Sequence, residues 1–280
     1  MDAKTEAFRR LEEIVEVLRG PGGCPWDREQ TLSDMSRYLL EEACEAVDAI
    51  HDSGGRPSPA VEEELGDVLL NVLLSARIAE EEGGFGIAQV ADRIREKLVR
   101  RHPHVFGDAA GEKPAVRGAS DVLTRWNAIK EGEKQAAGAR PKSRLDGVPR
   151  SLPPLERGYE LGRKAARAGF DWPSAEGALD KVEEEIGEVK AAMRGDEGKE
   201  RIEEELGDLL FAVVNLCRKV EVRPSDALRG TLSRFCERFA AIEERFPEVE
   251  KATLEEMEAV WNESKPGGAA ANPGPHGGEG

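Results

Sequence analysis

Apolar residues recur at three- and four-residue intervals along almost the whole chain, the period of an amphipathic α-helix. The pattern predicts helices over about 3–19, 32–52, 58–82, 87–101, 120–133, 154–168, 175–194, 197–220, 225–245 and 254–264. Breakers stand between them at Gly20–Gly23, Gly54–Pro57, Gly83–Gly84, Pro103 and Pro224. Thr253 followed by Glu256 forms a capping box, and Ser174 and Ser225 are expected as N-caps. No segment alternates apolar and polar residues as a half-buried strand does, so the expected class is all-α.

The pattern also repeats. LLEEACEAVDAI (Leu39–Ile50) followed by VEEELGDVLLNVLLSAR (Val61–Arg77) matches KVEEEIGEVKAAM (Lys181–Met193) followed by IEEELGDLLFAVVNLCR (Ile202–Arg218). A basic stretch, Arg95–Phe106, parallels Ser233–Phe246, and RWNAIK (Arg125–Lys130) parallels VWNESK (Val260–Lys265). The lead-ins PWD (Pro25–Asp27) and FDW (Phe170–Trp172) agree as well. So many features in one order predict a duplicated domain. The expected division is an N-terminal domain over 1–135, a polar linker over 136–149, a C-terminal domain over 150–265 and a disordered Gly/Pro-rich tail over 266–280.

Composition narrows the chemistry. The net charge is −16 with 34% charged residues, so the chain repels nucleic acid backbone, and an anionic substrate needs a bridging cation. Cys24, Cys44, Cys217 and Cys236 make no CxxC or Cys/His zinc spacing and read as reduced thiols. The charged N-terminus has no apolar signal segment, and the longest apolar runs, around Val68–Ala76 and Leu209–Cys217, are too short to span a bilayer. A cytoplasmic protein is expected, with no nucleic acid or membrane partner.

Residues three apart share a helical face. Glu42 with Glu45 and Glu64 with Asp67 therefore project in pairs, as do Glu185 with Glu188 and Glu205 with Asp208. Consecutive helices joined by a short link lie antiparallel, and two such helices present four carboxylates to one space. Four carboxylates together repel unless a cation sits among them, and all-oxygen ligation suits Mg²⁺, with Mn²⁺ as a possible substitute. A diiron centre needs Glu-x-x-His, which neither half has. Glu12, Glu13, Glu62 and Glu203 read as ordinary solvated acids. Gly66 and Gly207, each just before the metal-site Asp, are expected where a neighbour approaches closely.

These motifs, with GGCPWDREQTLSDMSRYLLEEACEAVDAI, RRHPHVFGD and RKAARAGFDW, resemble the MazG family of all-α NTP pyrophosphatases over about residues 5–265. The resemblance implies tandem helical-bundle domains, homodimerisation, Mg²⁺, and conversion of nucleoside triphosphates to monophosphates and pyrophosphate with broad base tolerance. It implies metal ligation, and with it catalysis, by Glu185, Glu188, Glu205 and Asp208, with Glu42, Glu45, Glu64 and Asp67 as the first-half counterparts. It places Arg234 and Arg238 on the triphosphate, with Lys97 and Arg101 as counterparts. Trp261 and Lys265, with Trp126 and Lys130, fall on the closing helix near the nucleotide, and Lys181 and Glu184 join the substrate contacts. Asn215, seven residues past Asp208 on the carboxylate face, is a further candidate; the first half has Leu74 there and offers Asn71 instead. The expected chemistry is metal-assisted hydrolysis of the α–β phosphoanhydride, carried mainly by the second half. The alternatives are a narrower dUTP or phosphoribosyl-ATP pyrophosphatase, a non-catalytic helical module and a diiron protein.

Overall fold

A computed structural model describes residues 2–108, 111–136, 143–195 and 198–265. Part of the expected linker, and the expected tail at 266–280, lie outside the described residues. All regular elements among the described residues are helices, and none is long and apolar enough to cross a membrane. The chain divides into two compact units, residues 1–139 and 140–280.

The first unit contains α1 (Ala3–Arg19), α2 (Pro25–Glu29), α3 (Leu32–Asp52), α4 (Pro59–Glu81), α5 (Ile87–Arg101), α6 (Pro103–Phe106) and α7 (Ala119–Ala136). A capping box between Thr31 and Asp34 starts α3, and Ser58 caps α4 ahead of Pro59. These caps fix both ends of the short link that turns α3 back against α4. Val15, Met35, Leu73, Leu74 and Ile78 form the core where α1, α3 and α4 meet. The Arg19 side chain is almost fully buried: it pairs with Glu81 at 2.8 Å and donates to the Gln30 carbonyl at 3.2 Å, tying α1 and the end of α2 to α4.

The second unit contains α8 (Pro154–Arg167), α9 (Ala175–Arg194), α10 (Lys199–Lys219), α11 (Pro224–Arg245) and α12 (Leu254–Glu263), with a 3₁₀ turn at Val249–Lys251. The closest packing is within the α9–α10 hairpin, and α10 also lies on α8. The α9 positions buried in this unit are Ala178, Glu185 and Ala192, spaced at two helical turns. Small alanines draw the helices together and place a carboxylate between them.

The helices before Pro103 and Pro224 stop as expected, and the prolines also begin α6 and α11, because a proline has no N–H to lose at a helix's first turn. Arg223, not Ser225, is therefore the N-cap of α11. Ser174 occupies the N-cap of α9 without capping it through its side chain. Gly66 and Gly207 have no neighbour within 4 Å of where a Cβ would stand, so close approach within the chain does not explain them. Close approach is instead found at Gly158, against Val214 and Phe211, and at Gly162, against Asn215 and Arg218, both on α8.

Candidate metal centre

The α9–α10 hairpin brings one carboxylate oxygen each from Glu185, Glu205 and Asp208 within 4.8 Å of one another. Glu185 is 4% and Glu205 2% exposed, while Asp208 lies at the open side. Burying a carboxylate is costly unless a cation or donor compensates it. Lys181, one turn before Glu185, pairs with it at 2.7 Å, and Arg201, one turn before Glu205, pairs with that residue. Lys181 also holds Glu184 at 2.9 Å. Even so, Glu185 Oε2 is buried with no hydrogen-bond donor. An orphaned, buried carboxylate oxygen on a residue grouped with two further carboxylates is a donor set that fits a hard cation. Glu188 lies outside the tight trio. Its carboxyl titrates above the usual range because it competes with Glu185 for a proton, with burial and the Glu205 charge adding to the shift. Lys181 holds Glu185 below the usual range.

The first unit places Glu42, Glu64 and Asp67 within 4.8 Å of one another, all half-buried, again with the fourth acid, Glu45, outside the trio. Burial, followed by the charges of Asp67, Glu45 and Glu64, raises Glu42; burial, Glu45 and Asp67 raise Glu64.

The expected substrate contacts divide into groups. Arg238 lies over the Trp261 ring, 5.4 Å from its centre, and Phe235 meets the same ring edge-on at 5.3 Å. Arg101 lies over Trp126 at the same 5.4 Å, so an arginine–tryptophan pair recurs in each unit. Arg234 is exposed and donates to Thr231 Oγ1 at 2.9 Å, and Lys265 donates to Asn262 at 2.7 Å. Lys97 and Lys130 are exposed.

Asn215 is not part of an open face. It is 3% exposed, donates to the Phe211 carbonyl at 3.1 Å and accepts from Arg218 at 3.3 Å, packed against Gly162. Arg218 in turn grips Asp171 of the FDW motif at 2.5 and 3.2 Å. Asn215 thus belongs to the contact that holds α8 and the FDW loop on α10. Asn71 is likewise buried and bonded to the Asp67 carbonyl at 3.0 Å, and Leu74 is core.

One residue at the first unit's basic pair escaped sequence reasoning. Glu133 of α7 accepts from Arg101 at 2.5 and 3.1 Å and from Arg100 at 2.6 Å. These arginines, Arg101 foremost, hold the Glu133 carboxyl down at about 2. Glu133 stood at the predicted end of its helix, where nothing in the pattern marked it as an internal partner.

A family model described as the MazG nucleotide pyrophosphohydrolase domain matches residues 30–106 and again 174–241. A Thermotoga maritima protein named nucleoside triphosphate pyrophosphohydrolase/pyrophosphatase MazG is 39% identical over 93% of this chain and 96% of its own length. An Escherichia coli K12 protein named nucleoside triphosphate pyrophosphohydrolase is 41% identical over 91% of this chain and 96% of its own. A Mycobacterium tuberculosis protein of the same name is 39% identical over 56% of this chain and 44% of its own.

Proposed function

The chain belongs to the MazG nucleotide pyrophosphohydrolase family, and from that premise we propose that it hydrolyses nucleoside triphosphates to monophosphates and pyrophosphate, with Mg²⁺ and broad base tolerance. The observation that carries this reading is the carboxylate trio, with Glu185 and Glu205 buried, and its orphaned Glu185 Oε2. Glu185, Glu205 and Asp208 would hold the cation, with Glu188 completing the set at the rim. Glu42, Glu64 and Asp67, with Glu45, form the corresponding first-unit set. Held there, Mg²⁺ would supply charge neutralisation for the phosphates and Lewis acidity for hydrolysis.

The chain's own residues do the rest. The carboxylates orient the attacking water and take its proton. Arg234 and Arg238, one turn apart on α11, face the departing pyrophosphate with fork-shaped donors. Trp261 holds Arg238 in place through its ring face. No covalent nucleophile is required.

We place most of the hydrolysis in the second unit. In the first, the arginine of the basic pair, Arg101, is already clamped by Glu133 and Trp126. Arg238 stacks on its tryptophan alone among the interactions described for it. We also propose a homodimer. Leu65 and Leu69 on α4, and Leu206 and Leu210 on α10, are exposed large apolar residues on the helices that carry the carboxylates. Gly66 and Gly207 open the surface beside them.

The test is product analysis of the purified chain with several nucleoside triphosphates and Mg²⁺. Monophosphate and pyrophosphate from more than one base are expected. Release of orthophosphate and diphosphate overturns the reading, and cleavage of a single nucleotide favours the narrower pyrophosphatase.

A further inference from the structure

The two carboxylate trios differ in what neutralises them. In the second unit each buried glutamate has a cation one turn earlier on its own helix, Lys181 for Glu185 and Arg201 for Glu205. In the first unit the corresponding positions, four residues before Glu42 and Glu64, are Tyr38 and Ala60. Tyr38 turns away: its ring meets Trp26 at 5.7 Å and its hydroxyl accepts from Arg37 at 3.0 Å. Ala60, with Glu45 and Glu64, lines an open cleft of about 550 Å³ between α3 and α4. Water in that cleft can therefore reach Glu64, where in the second unit a guanidinium pairs with Glu205.

We propose that Arg201 is a built-in competitor for the divalent cation of the second unit, a residue that lowers the metal affinity of the Glu185–Glu205–Asp208 cluster. The inference rests on the metal-centre reading given above.

The electrostatics are simple. A guanidinium and a dication on the same carboxylate repel each other, so a metal entering the trio weakens or displaces the Arg201–Glu205 pair. The displacement is feasible. The Arg201 side chain is 48% exposed, and its other terminal nitrogen already holds the exposed Glu204 at 3.1 Å, a partner it keeps after release. The arrangement also has a use. Glu205 is buried, and Arg201 pairs with its charge. Arg201 thus stabilises the empty centre and opposes its filling. Lys181 acts similarly on Glu185, but it also counts among the proposed substrate contacts, so Arg201 is the clean probe.

The experiment uses the full chain with the first trio silenced by Glu64→Gln and Asp67→Asn. Mn²⁺ is titrated calorimetrically, with free Mn²⁺ followed by paramagnetic resonance. Adding Arg201→Ala is expected to tighten Mn²⁺ binding about fivefold, the factor for no longer breaking one partly exposed ion pair. The same change is expected to lower the metal-free melting temperature and enlarge the upward shift that Mn²⁺ produces. Arg201→Gln, which keeps a polar, uncharged side chain of shorter reach, safeguards against loss of folding and is expected to tighten binding likewise. In the converse background, Glu205→Gln with Asp208→Asn, Ala60→Arg is expected to weaken the first trio by a similar factor. Unchanged or weaker Mn²⁺ affinity in both folded Arg201 variants overturns the inference and leaves the metal centre intact. No Mn²⁺ binding by the parent background overturns the metal centre itself.

Discussion

At the scale of single residues, Glu205 and Asp208 do different work although they stand three apart on one helix. Glu205 is 2% exposed and paired with Arg201, whereas Asp208 faces the open side of the trio. Glu205→Gln and Asp208→Asn each remove a ligand charge while keeping the shape. We expect each to reduce kcat on the order of 100-fold or more, the loss typical of removing one preorganised electrostatic group. Their stabilities should differ. Asn at 208 relieves like-charge repulsion without breaking an ion pair, so its metal-free melting temperature should not fall. Gln at 205 weakens the Arg201 pair and should melt lower. Steady-state rates with calorimetry on the metal-free proteins check both, and wild-type turnover in either variant would remove that residue from the centre.

At the scale of elements, one carboxylate joins α5 to α7 beside the Arg101–Trp126 stack. Glu133 grips Arg100 and Arg101, and this depresses its carboxyl from 4.5 to about 2. A lowered native pKa means stability that is fully present above the unfolded value and is lost as acid protonates the native carboxylate. The contribution of this clamp should therefore be complete above about pH 4.5 and vanish between there and about pH 2. Denaturant melts of wild type and Glu133→Gln should differ at neutral pH and converge at the acid end of that window. A constant difference across it would show that the clamp is not ionic. The same variant frees Arg101, so first-unit nucleotide binding should strengthen, measured in a chain whose second trio is disabled.

At the scale of the whole molecule, the acidic trios predict that divalent cations stabilise the fold. Glu42 and Glu64 are pushed above the usual carboxylate range by burial and by each other's neighbours, which marks a native state strained by its own charge at neutral pH. Millimolar Mg²⁺ should raise the melting temperature, and chelator should reverse the gain and abolish turnover. Sedimentation at micromolar concentration should report a dimer; a monomer would mean that the exposed leucines of α4 and α10 serve another partner. Silencing the trios one at a time in the full chain separates the units. Glu205→Gln with Asp208→Asn should remove nearly all hydrolysis, and Glu64→Gln with Asp67→Asn should leave most of it. The reverse result would move the activity to the first unit.

The helical class, most element bounds and the duplication were legible in the chain because they rest on local periodicity and on recurrence, both of which survive without coordinates. The EELGD acids, Glu64 with Asp67 and Glu205 with Asp208, were legible for the same reason, because three-residue spacing fixes a shared face; Glu45 and Glu188, expected beside them, fall outside the close groups. Pro103 and Pro224 stand between helices as expected; that each also opens the next helix was not read, because a missing N–H ends one helix and begins another equally well. What only tertiary structure decided was which side chains spend their polar groups on the protein itself. Asn215 shares the carboxylate face in projection, yet glycines on α8 let that helix close over it, and its amide serves the Phe211 carbonyl and Arg218. Arg101 carries the charge expected of a phosphate contact, yet Glu133, thirty-two residues away, already holds it. Periodicity sets the direction in which a side chain leaves its own helix; which neighbour meets it there depends on how helices distant in sequence pack.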